Sequence, residues 1–249
     1  MNQATYKSAV AGARRQWPKL TAKAMRKIKA AYTMAGSIIA DILREGSITN
    51  GVLDFETQRK LDQAIIEGSA DIGQAIREEV PILMETAASL FAAIEIEVMK
   101  DAMGGLSGKI TIDGIEKLFT KVAERSVISS LNTAWGDGFT FWGRVPNVSR
   151  YFGDDIVNLV RAAIDQGRDL GKIAADVTKY IKDGKEATIH RWGERIEPDS
   201  AQLLKRVPKQ VDYRALRLAR SELGRGLMET AKANGLANPA SSKLWDWVS

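Results

Sequence analysis

DYRALRLARSELGRGLMETAKANGLANPASSKLWDW, residues 212–247, contains the strongest helical pattern of the chain. Asp212 predicts an N-cap, because its carboxylate can accept hydrogen bonds from the free N–H groups of a first turn. Gly235 after Asn234 predicts the C-terminal stop, since both residues tolerate left-handed backbone. One apolar face follows at helical spacing, made of Tyr213, Leu216, Leu223, Leu227 and Ala231.

The polar face of this predicted helix carries a pair of arginines with two open interpretations. Arg217 and Arg220 are three residues apart, so they share a face and could bind phosphates or the carboxylates of a partner. Alternatively, Arg220 reaches an acidic side chain on a neighbouring helix of the same fold. Glu222 lies about 200° around the helix from Arg220, so these two residues cannot pair directly.

The composition is that of a soluble globular protein with enough residues for one large domain or two modest ones. The chain has 249 residues, of which 45% are hydrophobic and 27% charged. It contains no cysteine, which excludes a disulfide framework and thiolate metal sites. Its apolar runs are all shorter than the ~20 residues that span a bilayer, so we expect no membrane segment.

Charge is divided unevenly along the chain. Residues 1–35 contain eight basic side chains and no acid, whereas residues 41–124 contain 16 acids and 8 bases. Such a division indicates separate surfaces for separate partners, or simply solvated helical faces. Any DNA binding would be independent of sequence, because no base-reading motif accompanies the cations. The candidate DNA-phosphate ligands are Arg14, Arg15, Lys19, Lys23, Arg26, Lys27 and Lys29.

Apolar residues at helical spacing run through the same basic segment. They favour docking on a protein partner, with apolar anchors in a groove and cations at its rim, although the same stripe could pack on the protein's own core. The candidate anchors are Trp17, Met25, Ile28 and Tyr32.

Helical patterns predominate and strand patterns are sparse. Helices are predicted from Thr21 to about Arg44, from Asp54 onward, from about Val80 to Met103 with Pro81 in the first turn, from Asp113 to Leu131, from Asp154 or Asp155 to Gln166, and from Asp169 to Tyr180. Residues 135–149 are expected to be an irregular aromatic connection, and residues 182–211 a long polar one.

The predicted fold is therefore mainly α, an elongated multi-helix assembly with a small C-terminal α or α+β subdomain and few short strands. We expect a basic N-terminal arm over residues 1–20, a helical region over residues 21–134 and a C-terminal domain over residues 135–249.

Motifs for catalysis or metal binding were tested and rejected. GGLSGKIT, residues 104–111, lacks the glycine spacing and hydroxyl of a phosphate-binding loop and the end ligands of a calcium loop. His190 is the sole histidine, and no serine lies in a nucleophile elbow that would complete a triad with it. Asp154 and Asp155 are interpreted as a helix cap and its dipole partner. We therefore predict no enzyme activity, catalytic residue, metal or cofactor.

The C-terminal pattern resembles the phage head morphogenesis family, the minor head proteins similar to the F protein of phage Mu. That family shows approximately A-x-x-[IL]-A-R-[TS]-E, a helix, and then Trp before an aliphatic residue. Ser221 stands where threonine is commoner, and the chain stops soon after the Trp segment where family members usually continue. The matching residues are Ala215, Leu218, Ala219, Arg220, Ser221, Glu222, Trp247 and Val248.

The resemblance implies a structural protein of the virion that assembles in the host cytoplasm and lies inside the capsid. Its implied partners are the portal protein and other head proteins, and packaged double-stranded DNA bound without sequence preference; ejection with the DNA stays open. It also implies that Arg217, Arg220, Ser221, Glu222 and Trp247 serve structure or assembly. Two alternatives remain at this point: a helical protein that binds nucleic acid without sequence preference, and the delivery module of a toxin fusion that lacks its catalytic domain.

Overall fold

Helices account for 86% of the residues that the structure describes. It is a computed structural model, and it describes residues 3–103, 111–185 and 198–237. Within these ranges lie seven helices: α1 (Gln3–Glu45), α2 (Phe55–Met103), α3 (Ile112–Asn132), α4 (Phe141–Asp165), α5 (Leu170–Asp183), α6 (Pro198–Lys205) and α7 (Tyr213–Ala237). Two short strands, β1 (Ile48–Thr49) and β2 (Val52–Leu53), form the sheet between α1 and α2. The mainly α fold predicted from the sequence is confirmed.

The basic segment at the N-terminus is helical and continuous with the rest of α1. Pro18 lies inside this 43-residue helix, and Thr21 is a buried residue of its interior. The predicted helix start at Thr21 is therefore wrong, because the segment expected as a basic N-terminal arm is already helical from Gln3. An apolar face continues through the proline, from Ala13 to Ala24 and beyond, and its burial outweighs the backbone hydrogen bond that Pro18 cannot donate.

A tight hairpin and a cap separate α1 from α2. β1 and β2 pair antiparallel around Asn50 and Gly51, whose φ values of 54° and 78° fit the two-residue turn for which Asn-Gly is preferred. Asp54 then accepts hydrogen bonds from the backbone N–H groups of Glu56 and Thr57, each at 3.0 Å. These bonds confirm that Asp54 opens the second helix.

The second helix continues through Pro81, where a new helix was predicted. α2 is 49 residues long, and its buried positions Ile76, Val80, Leu83 and Met84 keep helical spacing on both sides of the proline. The prediction of a helix starting near Val80 is therefore wrong. Pro81 removes one backbone hydrogen bond, which the packing of this continuous apolar face overcomes.

Residues 135–149 are helical from Phe141 onward, because α4 begins there and not at the paired aspartates. Asp154 and Asp155 consequently lie in the middle of α4, and their predicted capping role is wrong. Helix α4 ends at Asp165, and Gly167 follows it with a φ of 65°. Asp169 then caps α5 by accepting from the backbone N–H of Lys172 at 2.9 Å. The predicted start of a helix at Asp169 is confirmed.

The quoted C-terminal stretch forms α7. It begins at Tyr213, directly after the predicted cap Asp212, and buries Leu223 and Leu227 of the predicted apolar face. Tyr213 and Ala231 of that face are exposed, so this part of the prediction is wrong. It continues past Gly235 to Ala237, so the predicted stop at that glycine is wrong. Trp247 lies outside the described residues, as do His190 and most of the 104–111 loop.

The chain divides into two compact units. Unit 1 contains Met1–Ala24, Glu78–Trp142 and Leu218–Ser249; unit 2 contains Met25–Arg77 and Gly143–Arg217. The chain passes from one unit to the other inside α1, α2, α4 and α7. The units therefore do not coincide with the three consecutive regions expected from the sequence.

Candidate functional site

The predicted phosphate ligands on α1 are all exposed. Arg14, Arg15, Lys19 and Lys23 belong to unit 1, and Arg26, Lys27 and Lys29 to unit 2. Arg15 donates from Nε to the carbonyl of Ala11 within its own helix at 3.3 Å. The exposed side of α1 is therefore cationic over residues 14–29, as a phosphate-binding surface requires.

The predicted apolar anchors on α1 are core residues. Met25, Ile28 and Tyr32 are buried, so they have no surface to offer a partner in this fold. Tyr32 packs edge-on against Phe152, with ring centroids 5.6 Å apart. Trp17 is half-buried against Phe91, with ring centroids 6.4 Å apart. The apolar stripe packs on the protein's own core, which was the alternative interpretation.

The family-like motif on α7 has buried and exposed positions. Ala219 and Glu222 are fully buried, whereas Arg217 and Arg220 are exposed and Ser221 is half-buried. The expected contact from Arg220 to a buried acid is made instead by Arg214, nearly two turns earlier on the same helix.

Four side chains from four helices meet inside unit 2, and we call them the Asp155 cluster: Tyr32 of α1, Asp155 of α4, Tyr180 of α5 and Arg214 of α7. Arg214 Nη1 donates to Asp155 Oδ2 at 2.8 Å, and the Tyr180 hydroxyl donates to the same oxygen at 3.4 Å. Tyr32 adjoins the pair and couples to it electrostatically. Tyr32, Asp155 and Tyr180 are each at most 1% exposed.

Burial dominates the electrostatics of this cluster. It raises the pKa of Asp155 to about 7, although the Arg214 charge and the hydrogen bonds from Arg214 and Tyr180 act in the opposite direction. Burial likewise raises the pKa of Tyr180, and the nearby Asp155 carboxylate raises it further. The pKa of Tyr32 is raised by burial and then by Asp212 and Asp155.

The outer end of the cluster is held by an aromatic ring. The Arg214 guanidinium carbon lies 4.2 Å from the ring centroid of Tyr151, within the range of a cation–π contact. Tyr151 is one turn before Asp155 on α4, so Arg214 contacts two successive turns of that helix. This arrangement fixes the start of α7 against α4.

A second ion pair fixes the turn between α4 and α5. Arg168 Nη2 lies 2.8 Å from Asp176 Oδ2, and the Asp176 side chain is only 2% exposed. Both this pair and the Asp155 cluster bury a carboxyl group against an arginine. Their geometry suits helix positioning, because a substrate could not reach Asp155 or Tyr180 without displacing a core helix.

Sequence reasoning missed the Asp155 cluster because its members are far apart in the chain. Asp155 was assigned to a helix start on local grounds alone. One signal was present: Asp155 and Phe152 are three apart with Ile156 and Leu159 following, which places the acid on the apolar face of α4.

Comparison of the chain with protein-family models, with curated proteins and with solved structures finds no match. Among the helices that the structure describes, none combines the length and the apolarity needed to cross a bilayer. Within the described ranges, acidic side chains do not gather in a group of three or more that could hold a metal ion.

Proposed function

We propose that the chain is a minor head protein of a tailed bacteriophage, a structural protein without enzyme activity that binds the portal and takes part in head assembly. The proposal rests on the resemblance of residues 215–222 to the head morphogenesis family. The structural observation that supports the proposal is that this motif has a buried side and an exposed side on α7. Ala215, Leu218, Ala219 and Glu222 are buried and hold the helix in place, while Arg217 and Arg220 project into solvent.

The exposed arginines are suited to a protein partner. They are one turn apart, so both guanidinium groups can bind carboxylates on one surface, and bidentate arginine–carboxylate pairs give specificity as well as affinity. The closed geometry of the Asp155 cluster supports a structural role, since Asp155 and Tyr180 are hydrogen-bonded within the cluster and excluded from solvent.

Copurification with the portal protein of the same phage tests this proposal. We expect the wild-type chain to be retained on immobilised portal, and the Arg217→Glu/Arg220→Glu variant to be lost at moderate salt. The control is Lys121→Glu/Arg125→Glu, which makes the same charge change at exposed positions of α3 and should bind normally. Failure of the wild-type chain to bind the portal at low salt would refute the proposal.

Sequence-independent nucleic-acid binding is a second candidate function, favoured by the exposure of all seven predicted phosphate ligands on α1. Each phosphate that is neutralised contributes about −0.9 to the slope of log affinity against log salt. Titration of labelled duplexes of unrelated sequence should give equal affinities and a steep salt dependence.

A matched pair of variants identifies the DNA surface. Arg15→Glu/Lys19→Glu should weaken binding and make the slope shallower by about 2, whereas Lys121→Glu/Arg125→Glu should leave the slope unchanged. Equal slopes for the two variants would remove α1 as the binding surface.

A further inference from the structure

A groove of about 480 Å³ runs between α2 and α4 within unit 2, and we call it the α2/α4 groove. Small residues let the two helices approach closely along its floor. A Cβ atom at Gly153 would lie 2.6 Å from Cγ2 of Ile65, and one at Gly73 would lie 3.3 Å from Oγ of Ser149. The two contacts show that the helices run antiparallel, because the later residue of α2 meets the earlier residue of α4.

The two ends of the groove differ in chemistry. Ile65, Ile66 and Val157 line one end, and Ile66 is 63% exposed. Arg77 and Arg150 line the other end, and both are exposed. An exposed acid, Asp154, lies beside Gly153 and therefore belongs to the apolar end, away from Arg77. The groove thus offers apolar contacts at one end and two guanidinium groups at the other.

The outer face of α1 in unit 2 carries a pattern of opposite charge. Met34 and Ile38 are 64% and 45% exposed, although the opposite face of the same helix is buried through Ala35, Ile39 and Leu43. The exposed acids Asp41 and Glu45 follow at spacings of three and four, so all four side chains share one face. We call Met34, Ile38, Asp41 and Glu45 the α1 stripe.

The stripe and the groove match in length as well as in charge. Met34 and Glu45 are eleven residues apart, and so are Ile66 and Arg77. At 1.5 Å per helical residue each pattern extends about 16 Å. Both begin with apolar side chains and end with charges, acidic on the stripe and basic in the groove.

We propose that the α1 stripe of one copy docks in the α2/α4 groove of a second copy, so that the chain associates head to tail with itself. Met34 and Ile38 contact Ile65, Ile66 and Val157, and the two acids pair with Arg77 and Arg150. The docked α1 lies parallel to α2. Asp41 also binds Arg44 of its own helix through Oδ1.

The geometry of this contact has two consequences. The surfaces that meet are different, so each added copy leaves one free stripe and one free groove, and assembly continues until a ring closes or a filament grows. A single helix in a groove is a small interface, which places the association at the weak, reversible end of the range.

Sedimentation velocity of the full chain over a wide concentration range tests the proposal. We expect the wild-type chain to form dimers and larger species by about 1 mM. Two variants each disable one surface: Arg77→Glu/Arg150→Glu in the groove and Asp41→Arg/Glu45→Arg on the stripe. Each should remain a monomer alone, and Lys121→Glu/Arg125→Glu should associate as the wild type does.

The decisive sample is an equal mixture of the two disabled variants. The first retains an intact stripe and the second an intact groove, and the reversed stripe and the reversed groove are complementary in charge as well, so the mixture should associate although neither variant does so alone. Circular dichroism checks that each variant is folded. If Asp41→Arg/Glu45→Arg is unfolded, Met34→Ser/Ile38→Ser takes its place as the stripe variant. A wild-type chain that stays monomeric to about 1 mM, variants that still associate, or a mixture that stays monomeric would each overturn the proposal.

Discussion

Asp155 has an environment far from that of an ordinary surface carboxylate. It lies in the core of unit 2, where ionisation is opposed by burial and favoured by Arg214 and Tyr180. Removing one partner of a buried ion pair leaves the other uncompensated, which is more destabilising than the pair itself is stabilising. Arg214 is 27% exposed and can partly reach water, but Asp155 cannot.

We therefore expect replacement of Arg214 to reveal the cost of leaving Asp155 buried without its partner. Arg214→Met keeps the aliphatic stem and should lower the free energy of unfolding by about 3 kcal/mol at pH 8, where Asp155 is ionised. At pH 5 the acid is protonated, and the loss should fall to about 1 kcal/mol, the value of one hydrogen bond. Urea unfolding at the two pH values measures both losses.

The matched control for this variant is Arg217→Met, three residues later on α7 and exposed. It should change the free energy of unfolding by less than about 0.5 kcal/mol at either pH. Equal effects of the two substitutions would show that Arg214 is not held by Asp155.

Asp155 should also give the protein a pH-dependent stability. Its pKa is raised in the folded state to about 7, so between about pH 4 and pH 7 the folded chain binds a proton that the unfolded chain has released. Stability from this group is full below the unfolded pKa and is lost as pH rises through 7, by at most about 1.4 kcal/mol per pH unit.

Asp155→Asn cannot titrate and isolates this contribution. Relative to Asp155→Asn, the wild type should lose unfolding free energy as pH is raised from 5 to 8. A difference that is constant over this range would contradict the raised pKa.

At the scale of elements, local sequence predicted helix starts correctly at three aspartates and placed false starts inside long helices. Asp54, Asp169 and Asp212 marked real helix starts because a cap acts on its own first turn. Pro18 and Pro81 were misinterpreted, because burial of a long apolar face decides whether a helix tolerates the loss of one hydrogen bond. That burial depends on helices distant in sequence.

The close approach of α2 and α4 provides a test of element packing. In Gly153→Ala the new Cβ would lie 2.6 Å from Ile65, so we expect a loss of about 1–3 kcal/mol from overpacking. Gly224→Ala on α7 meets nothing within 4 Å and should instead stabilise its helix by up to about 1 kcal/mol. Thermal unfolding of both variants measures the contrast, and a stabilised Gly153→Ala would mean that the two helices are not in contact there.

At the scale of the whole molecule, each unit is built from segments distant in the chain. Leu218–Ser249 belongs to unit 1, and within it Leu223 and Leu227 are core residues. A chain truncated after Arg217 should therefore lose hydrogen-exchange protection in α3, while α4 and α5 of unit 2 retain theirs. Equal loss in the two units would show that they do not unfold separately.

Contacts between segments that are distant in the chain also explain why the sequence did not predict the candidate site. The mainly α fold followed from hydrophobic periodicity, which is local. The partnership of Asp155 with Tyr180 and Arg214, across 25 and 59 residues, depends on how the helices pack and has no local signature. The exposed cations of α1 were identified because charge alone marks them, whereas the apolar residues beside them could equally face a partner or the core.

The interleaving of the two units has a consequence during synthesis. The first segment of unit 1 ends at Ala24, and its last begins at Leu218. At about 5–20 residues per second, the ribosome needs roughly 10–40 s to make the intervening chain. For that time the apolar face of nascent α1 lacks its final neighbour. We expect the newborn chain to depend on chaperones that bind exposed apolar segments until translation is nearly complete.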